Sequence, residues 1–227
     1  MCGRYTLKTP KEVIARQFDV EIDDELEPRY NIAPSQTVAA VRAARGGDGR
    51  EFVRLNWGLI PSWAEDARMA SKLINARGET LTEKPSFREA FRRRPCLVVA
   101  DGFFEWDKKG RTKRPYYFQL KDGKPFAFAG LWERWAGQGG ENVETCTIIT
   151  TTPNELLARV HDRMPVVLAP EEYDVWLDVD ARSADARREL LRPFPSSEMI
   201  AYPVGQQVNS PQSQGPDLVR RQGANSA

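Results

Sequence analysis

Cys2 has the most distinctive chemistry in the chain. A small second residue favours removal of the initiator methionine, and Cys2 then carries a free α-amine beside its thiol. The α-amine, with a reference pKa of ~7.7–8.0, is partly neutral near pH 7. A neutral amine adds to an aldehyde to give an imine, and the thiol can close onto the imine carbon as a five-membered thiazolidine. Only a 1,2-aminothiol does this, and in a protein that means an N-terminal cysteine. Position alone is equally compatible with an incidental cysteine at a chain end, where change is tolerated.

Other residues offer complementary groups. His161, the only histidine, stands in Val-His-Asp-Arg-Met-Pro. Its titration range suits proton transfer, although a lone histidine also serves as a plain surface or core residue. Glu105 is flanked by Phe103, Phe104 and Trp106. Apolar neighbours desolvate a carboxyl and raise its pKa, which suits a general acid or base. An edge-strand glutamate facing water fits the same string of residues. Asn75 and Arg77 lie two residues apart and share a face if the backbone is extended. The amide suits a sugar oxygen and the guanidinium a phosphate; taken alone, the pair also reads as a loop-capping asparagine and a solvated arginine. In Trp57-Gly-Leu-Ile-Pro-Ser-Trp63, Trp57 suits a core, whereas Trp63 follows a proline turn and suits stacking on unpaired bases. Cys96 and Cys146 sit in apolar runs and read as small core residues. With one histidine and no CxxC pair, no metal site and no cofactor are expected.

These groups need a scaffold, and the sequence predicts one. Thr9-Pro10-Lys11-Glu12 reads as a capped helix start, with Val13, Ile14 and Phe18 as its apolar face. Ser86–Glu89 opens a second helix with Phe87, Ala90 and Phe91 inward, and Pro95 stops it. Thr152–Glu155 opens a third helix reaching about Val160, and further helical patterns cover Glu171–Leu177 and Ala184–Leu191. Strands are expected at Thr37–Arg45 and Arg50–Trp57, joined by a glycine-rich hairpin turn. Others fall at Cys96–Ala100, Val143–Thr151, Met164–Leu168 and Met199–Val204. Tyr116–Leu120 and Phe126–Trp132, joined by Lys121-Asp-Gly-Lys124, read as a second hairpin. The fold class is α+β: a single domain of mostly antiparallel strands in a curved sheet or barrel-like core, with peripheral helices. The domain covers 1–211, and the polar segment 212–227 is expected to be a flexible tail.

The chain has 227 residues, enough for one substantial core. Lys and Arg number 33 and Asp and Glu 32, so bulk charge selects no polyanionic partner. Any nucleic-acid surface must come from local clustering of arginines. The three widely spaced cysteines suggest no disulfide framework. The N-terminus lacks a signal-peptide apolar run, and no stretch approaches the ~20 apolar residues of a membrane span. A reducing cytoplasm is the expected compartment, at the nucleoid in a bacterium.

In order, Met-Cys-Gly-Arg-Tyr, Tyr30-Asn-Ile-Ala-Pro34, WGLIPSW at 57–63, Asn75-Ala-Arg77 with Glu79-Thr80, GFFEW at 102–106 and His161-Asp-Arg-Met-Pro165 form a series that closely resembles the SOS response-associated peptidase (SRAP) family. The resemblance spans about residues 2–210. It implies a positively charged groove for single-stranded DNA and a thiazolidine between mature Cys2 and the ring-opened sugar of an abasic site, which shields that site. Carried over, Cys2 supplies amine and thiol, and Asn75 orients the opened sugar. Glu105 shuttles protons, and His161 promotes ring opening. Arg4, Arg77 and Arg163 hold phosphates, with Thr150 on the same surface, while Pro34, Trp63 and Trp106 shape the groove. Some relatives have a second tryptophan after position 63, where this chain has Ala64, and Gly205 stands where a serine is expected. The resemblance implies a monomer with lyase-like crosslinking chemistry. A cysteine peptidase or amidohydrolase using the N-terminal amine as base is the alternative. A DNA-binding module in which Cys2 is incidental is a third reading.

Overall fold

The computed structural model describes residues 2–46, 49–107, 113–137, 139–180 and 183–223. In chain order the strands are β1 (Arg4–Leu7), β2 (Arg29–Ile32), β3 (Thr37–Ala43), β4 (Arg50–Trp57), β5 (Asn75–Arg77), β6 (Pro95–Ala100), β7 (Gly102–Asp107), β8 (Arg114–Leu120), β9 (Phe126–Ala136), β10 (Asn142–Thr151), β11 (Met164–Pro165), β12 (Val167–Leu168) and β13 (Met199–Pro203). The helices are α1 (Lys11–Phe18), α2 (Arg88–Arg93), α3 (Tyr173–Leu177) and α4 (Ser183–Glu189).

Five strands close on themselves. β4 pairs with β3, β3 with β6, β6 with β9 and β9 with β10, all antiparallel. β10 then returns to β4 in parallel, with Thr145 opposite Asn56 and Cys146 opposite Trp57. The result is a small mixed barrel within an α+β domain. A closed ring leaves no open edge and lets strands bury both faces. That explains the unbroken apolar runs: β6 is buried at every position, as is β9 from Phe126 to Leu131.

The second sheet is antiparallel in the order β13-β8-β7-β1-β2. Asp101 alone separates β6 of the barrel from β7 of this sheet. The two layers meet at Tyr5 on β1, whose ring lies 5.4 Å from Trp57 and 5.7 Å from Phe128.

The β3–β4 hairpin is present, although Gly47 and Asp48 of its turn lie outside the described residues. The second expected hairpin is not one. β8 pairs with β7 and β13, while β9 pairs with β6, β10 and β12. Residues 121–125 carry the chain from one sheet to the other. The turn signal there is local, but the all-buried start of β9 can be satisfied only inside the barrel.

Two helix starts also differ from expectation. The hydroxyl of Thr9 donates to Asp101 at 2.8 Å, and Pro10 takes the cap position of α1 without a side-chain cap. Ile14 and Phe18 are buried, but Val13 is 42% exposed. α2 buries Ala90 and Phe91 as expected, again without a side-chain cap. No α-helix forms after Thr152, where only a 3-10 turn spans Leu157–Arg159. Asn154 is drawn inward instead, accepting from the Leu157 amide and donating to the Phe194 carbonyl. α3 and α4 match the patterns read at 171–177 and 184–191. Buried Arg187 of α4 donates to the carbonyls of Phe91, Arg92 and Asp178 and so docks α4 onto α2.

The segment from 212, expected to be a flexible tail, packs on the domain as far as Gln222, whose amide donates to the Pro203 carbonyl, with Leu218 and Val219 as apolar anchors. Leu218 is buried with Phe104, Tyr117, Val204 and Val208. The Asn31 amide donates to the carbonyls of Ser210 and Ser213, and the Gln214 side chain bonds the backbone of Tyr30 and Asn31. Composition misses this because two apolar residues and a few amides suffice when a prepared surface meets them. Residues 224–227 lie outside the described residues.

Gly102 begins β7 beneath the Tyr117 ring, where an added Cβ would lie 2.0 Å from the phenol oxygen. Gly102→Ala is therefore expected to destabilise the protein by about 1–3 kcal/mol through overpacking, read as a lowered midpoint in thermal or urea unfolding.

Candidate functional site

The N-terminal half of the site hangs on β1. Arg4, Tyr5 and Thr6 face Phe104, Phe103 and Gly102 of β7. Along β7, Glu105 shares its face with Phe103, on the side of the barrel core, while Phe104 and Trp106 alternate to the other side. Cys2 belongs to the same barrel cluster and is fully buried. Glu105 is 2% exposed, which settles its orientation against the water-facing alternative. The two are close enough to interact electrostatically. Burial pushes the Cys2 thiol far above its ordinary value and the charge of Glu105 pushes it further, while the N-terminal positive charge and a hydrogen bond from the Arg4 amide only partly oppose them. The thiol is therefore held neutral.

Arg4 and Trp106 lie on the other face of this sheet and are engaged. The Arg4 guanidinium donates to Asn31 Oδ1 at 3.0 Å, to the Val208 carbonyl at 2.7 Å and to the Asn209 carbonyl at 3.4 Å. Trp106 Nε1 donates to Asn209 Oδ1 at 2.7 Å, and Arg4 stands 5.8 Å from the Trp106 ring centre. The C-terminal segment thus covers both side chains.

The second half of the site hangs on β10. β5 runs parallel to it, with Asn75 opposite Ile148 and Arg77 opposite Thr150. Ala76 is buried on one face, and Asn75 and Arg77 share the other, as their spacing predicts. The Asn75 amide donates to the Ile148 carbonyl at 3.3 Å. Its Oδ1 is buried and accepts no hydrogen bond among the described residues. Arg77 is exposed. Arg163 forks onto Glu79 at 2.6 and 2.9 Å and also donates to the Thr150 carbonyl at 2.6 Å. Thr150, expected on the phosphate surface, is instead fully buried, and its hydroxyl donates to the Ala76 carbonyl. Arg163 covers it, with a guanidinium nitrogen 2.6 Å from the Thr150 carbonyl and 3.3 Å from its hydroxyl.

The His161 side chain is 7% exposed, and its Nδ1 lies 2.9 Å from Asp162 Oδ1 and 3.1 Å from the Arg163 amide. One nitrogen cannot accept from an amide and donate to a carboxylate at once. The neutral ring takes the amide and carries its proton on Nε2, while the protonated ring donates to Asp162.

One chain of contacts links the two halves. Tyr5 packs on Trp57, and Trp57 Nε1 donates to the Ile74 carbonyl at 2.8 Å, immediately before Asn75. Trp57 is thus a core residue, whereas Trp63 is 57% exposed. Pro34 is half-buried in a turn closed by Gln36 N–H on the Ala33 carbonyl, which puts Ser35 at φ 69°. Ala64 is buried, and its carbonyl accepts from Trp135 Nε1. Cys96 and Cys146 are buried, as their apolar settings predict.

Sequence reasoning named no role for Asp101, Asn31 or Glu79. Asn31 and Glu79 fall inside recognised motifs, but only their partners reveal what they do. The isolated Asp before Gly-Phe-Phe-Glu was a signal in itself, because a charged residue between two apolar strands must find donors.

A small β-barrel covered by a second sheet, with a buried cysteine just before that sheet's strand β1, a buried glutamate on β7 and an arginine-bearing edge on β10, is the arrangement found in this chain. The chain belongs to the SOS response associated peptidase (SRAP) family, whose model matches residues 1–211. It is 43% identical over 223 residues to the abasic site processing protein YoqW of Bacillus subtilis, covering 96% of this chain and 99% of that one. It is 28% identical over 230 residues to the abasic site processing protein YedK of Escherichia coli, covering 97% and 99%. A crystal structure of a Bacteroides thetaiotaomicron protein superposes with a TM-score of 0.86 at 30% identity, covering 97% of this chain and all of that one.

Two outcomes follow from this geometry. With Met1 in place, all three thiols should react with a disulfide reagent at least about 100-fold more slowly in the native protein than after unfolding, since none is exposed or readily ionised. The Arg163 fork holds the Glu79 carboxyl below its ordinary range, mainly by hydrogen bonding. A depressed carboxyl stabilises the fold above its unfolded pKa of ~4.3, and that contribution is lost as pH falls through the folded value. Half-exposure of Glu79 keeps the contribution below about 1 kcal/mol. A carbon-detected titration of Glu79 should place its midpoint below ~4.3, and Arg163→Met should return it to that range.

Proposed function

We propose that this protein captures abasic sites in single-stranded DNA as a thiazolidine on Cys2, once Met1 has been removed. The observation that carries this reading is the burial of both Cys2 and Glu105, near enough for the carboxylate to act on the thiol. A thiol buried beside a carboxylate ionises with difficulty and is a poor first nucleophile, whereas an α-amine is neutral in part near pH 7. The amine therefore leads. It adds to the aldehyde carbon of the opened sugar to give a carbinolamine, and loss of water forms the imine. The sulfur then bonds to the imine carbon while the thiol proton passes to nitrogen, so that one water is released overall. Glu105 carries the protons in these steps, supplying one to the departing hydroxyl and accepting one from the thiol.

The rest of the site serves the sugar and backbone. The Oδ1 of Asn75, buried and without a partner among the described residues, accepts a hydroxyl of the opened sugar. His161 exchanges a proton with the ring oxygen as the closed sugar opens. Arg77 is exposed for a phosphate, and Arg163 reaches one by leaving Glu79. Arg4 and Trp106 join only where the 208–209 contacts yield. Trp63 offers an exposed face for an unstacked base. The names of the relatives, abasic site processing proteins, point the same way. The chemistry is lyase-like and uses no metal or cofactor.

The test is to incubate the mature protein with single-stranded DNA carrying one abasic site and to examine the products by denaturing gel and intact mass. A denaturant-stable species with the mass of both partners less one water, absent for Cys2→Ala and for undamaged DNA, is expected. Absence of that species with Met1 confirmed removed, together with turnover of peptides, would instead establish the N-terminal cysteine hydrolase. Glu79→Gln, which releases Arg163 from a competing carboxylate, should tighten non-covalent binding of undamaged single-stranded DNA about 3- to 10-fold and steepen its salt dependence, as read by fluorescence anisotropy.

A further inference from the structure

Asp101 is nearly fully buried at the single-residue junction between β6 and β7, and one carboxylate gathers the end of β1. Its Oδ1 accepts from the Thr6 hydroxyl at 2.6 Å and lies 3.2 Å from Lys8 Nζ. Its Oδ2 accepts from the Lys8 amide at 2.6 Å and from the Thr9 amide and hydroxyl at 2.8 Å each. In return the Asp101 amide donates to the Thr6 carbonyl at 2.9 Å. The Tyr117 hydroxyl closes the group, 2.8 Å from Thr6 Oγ1.

β1 needs such a clasp. It is four residues long, and its ladder with β2 shifts register between Tyr5 and Leu7, so β2 alone does not define its alignment. A slip of one residue turns every side chain to the opposite face. Tyr5 would leave Trp57 and Phe128, and the residues preceding it would leave the Glu105 side of β7. Donors from Thr6, Lys8 and Thr9 on one rigidly placed carboxylate exclude that slip.

We propose that Asp101 is a positioning residue for the N-terminal nucleophile: by fixing the register of β1 on β7, it holds the Cys2 amine and thiol against Glu105. This inference rests on the crosslinking reading above. Asp101 touches no reacting atom. Its effect is on the covalent step and not on DNA affinity, because Arg77 and Arg163 hang on β10 and Arg4 of β1 is taken up by the Val208 and Asn209 carbonyls.

Asp101→Asn keeps the shape but turns one acceptor into a donor facing donors. In mature protein, at a temperature where the variant is folded by circular dichroism, its single-turnover crosslinking rate at saturating abasic DNA should fall about 10- to 100-fold. Affinity for undamaged single-stranded DNA should stay within about twofold. The decisive readout is the double variant with Glu105→Gln. If Asp101 acts by delivering Cys2 to Glu105, the double variant is little slower than the slower single variant; fully multiplicative losses assign Asp101 a separate structural role and overturn the inference. Where Asp101→Asn does not fold, Thr9→Val removes one donor and should slow the covalent step about two- to fivefold, and a wild-type rate there overturns it equally. Failure of the unmodified protein to crosslink would sink the functional reading; a normal rate in a folded Asp101→Asn sinks this inference alone.

Discussion

β10 has to satisfy its backbone on both edges along its buried part, and the architecture follows from how it does so. Its N-terminal part pairs with β9 on one side and β4 on the other, which closes the barrel. Beyond Ile148, where β9 pairing ends, β11 supplies partners on one side and β5 on the other. β5 is only three residues long and would have no reason to be extended without that edge. Asn75, Arg77 and Arg163 thus depend on a strand that carries none of them. A buried backbone group left without a partner costs about as much as a lost hydrogen bond, so the barrel and this edge of the site stand or fall together.

The N-terminal strand solves a different problem. A chain end is normally the least constrained part of a protein, yet residues 4–7 sit between two strands, and Tyr5 packs against the barrel. The anchoring raises the thiol's cost of ionisation and at the same time brings a glutamate to it. A site that needed a free thiolate would be built the other way, with cationic neighbours and solvent access. Burial beside a carboxylate suits chemistry in which the amine acts first and the thiol follows.

Near-neutral composition and the proposed strand-binding role are reconciled by pairing. Arg163 is matched by Glu79, and Arg4 by carbonyls of the C-terminal segment. The cations are assembled locally while their charge is answered from within the protein. A polyanion then competes with existing partners, so that binding depends on local geometry more than on bulk attraction.

What could be read directly from the chain was everything carried by local spacing. The motif series pointed to the family. Two-residue alternation put Asn75 and Arg77 on one face, and unbroken apolar runs marked Cys96–Ala100 and the strand after Phe126 as buried. Contacts distant in sequence decided the rest. The turn at 121–124 looks like a hairpin because turn preference is local, but the strands it joins belong to different sheets, since only barrel closure buries both faces of β9. Thr9 looks like a helix cap until Asp101, far along the chain, takes its hydroxyl. Polar composition from 212 onward suggested a loose tail, and two apolar residues with a surface made ready by Phe104 and Tyr117 overrode it. The tertiary fold alone placed Cys2 beside Glu105. β1 pairs with β7, which carries Glu105, and such pairing is a property of two strands that neither strand's sequence contains by itself.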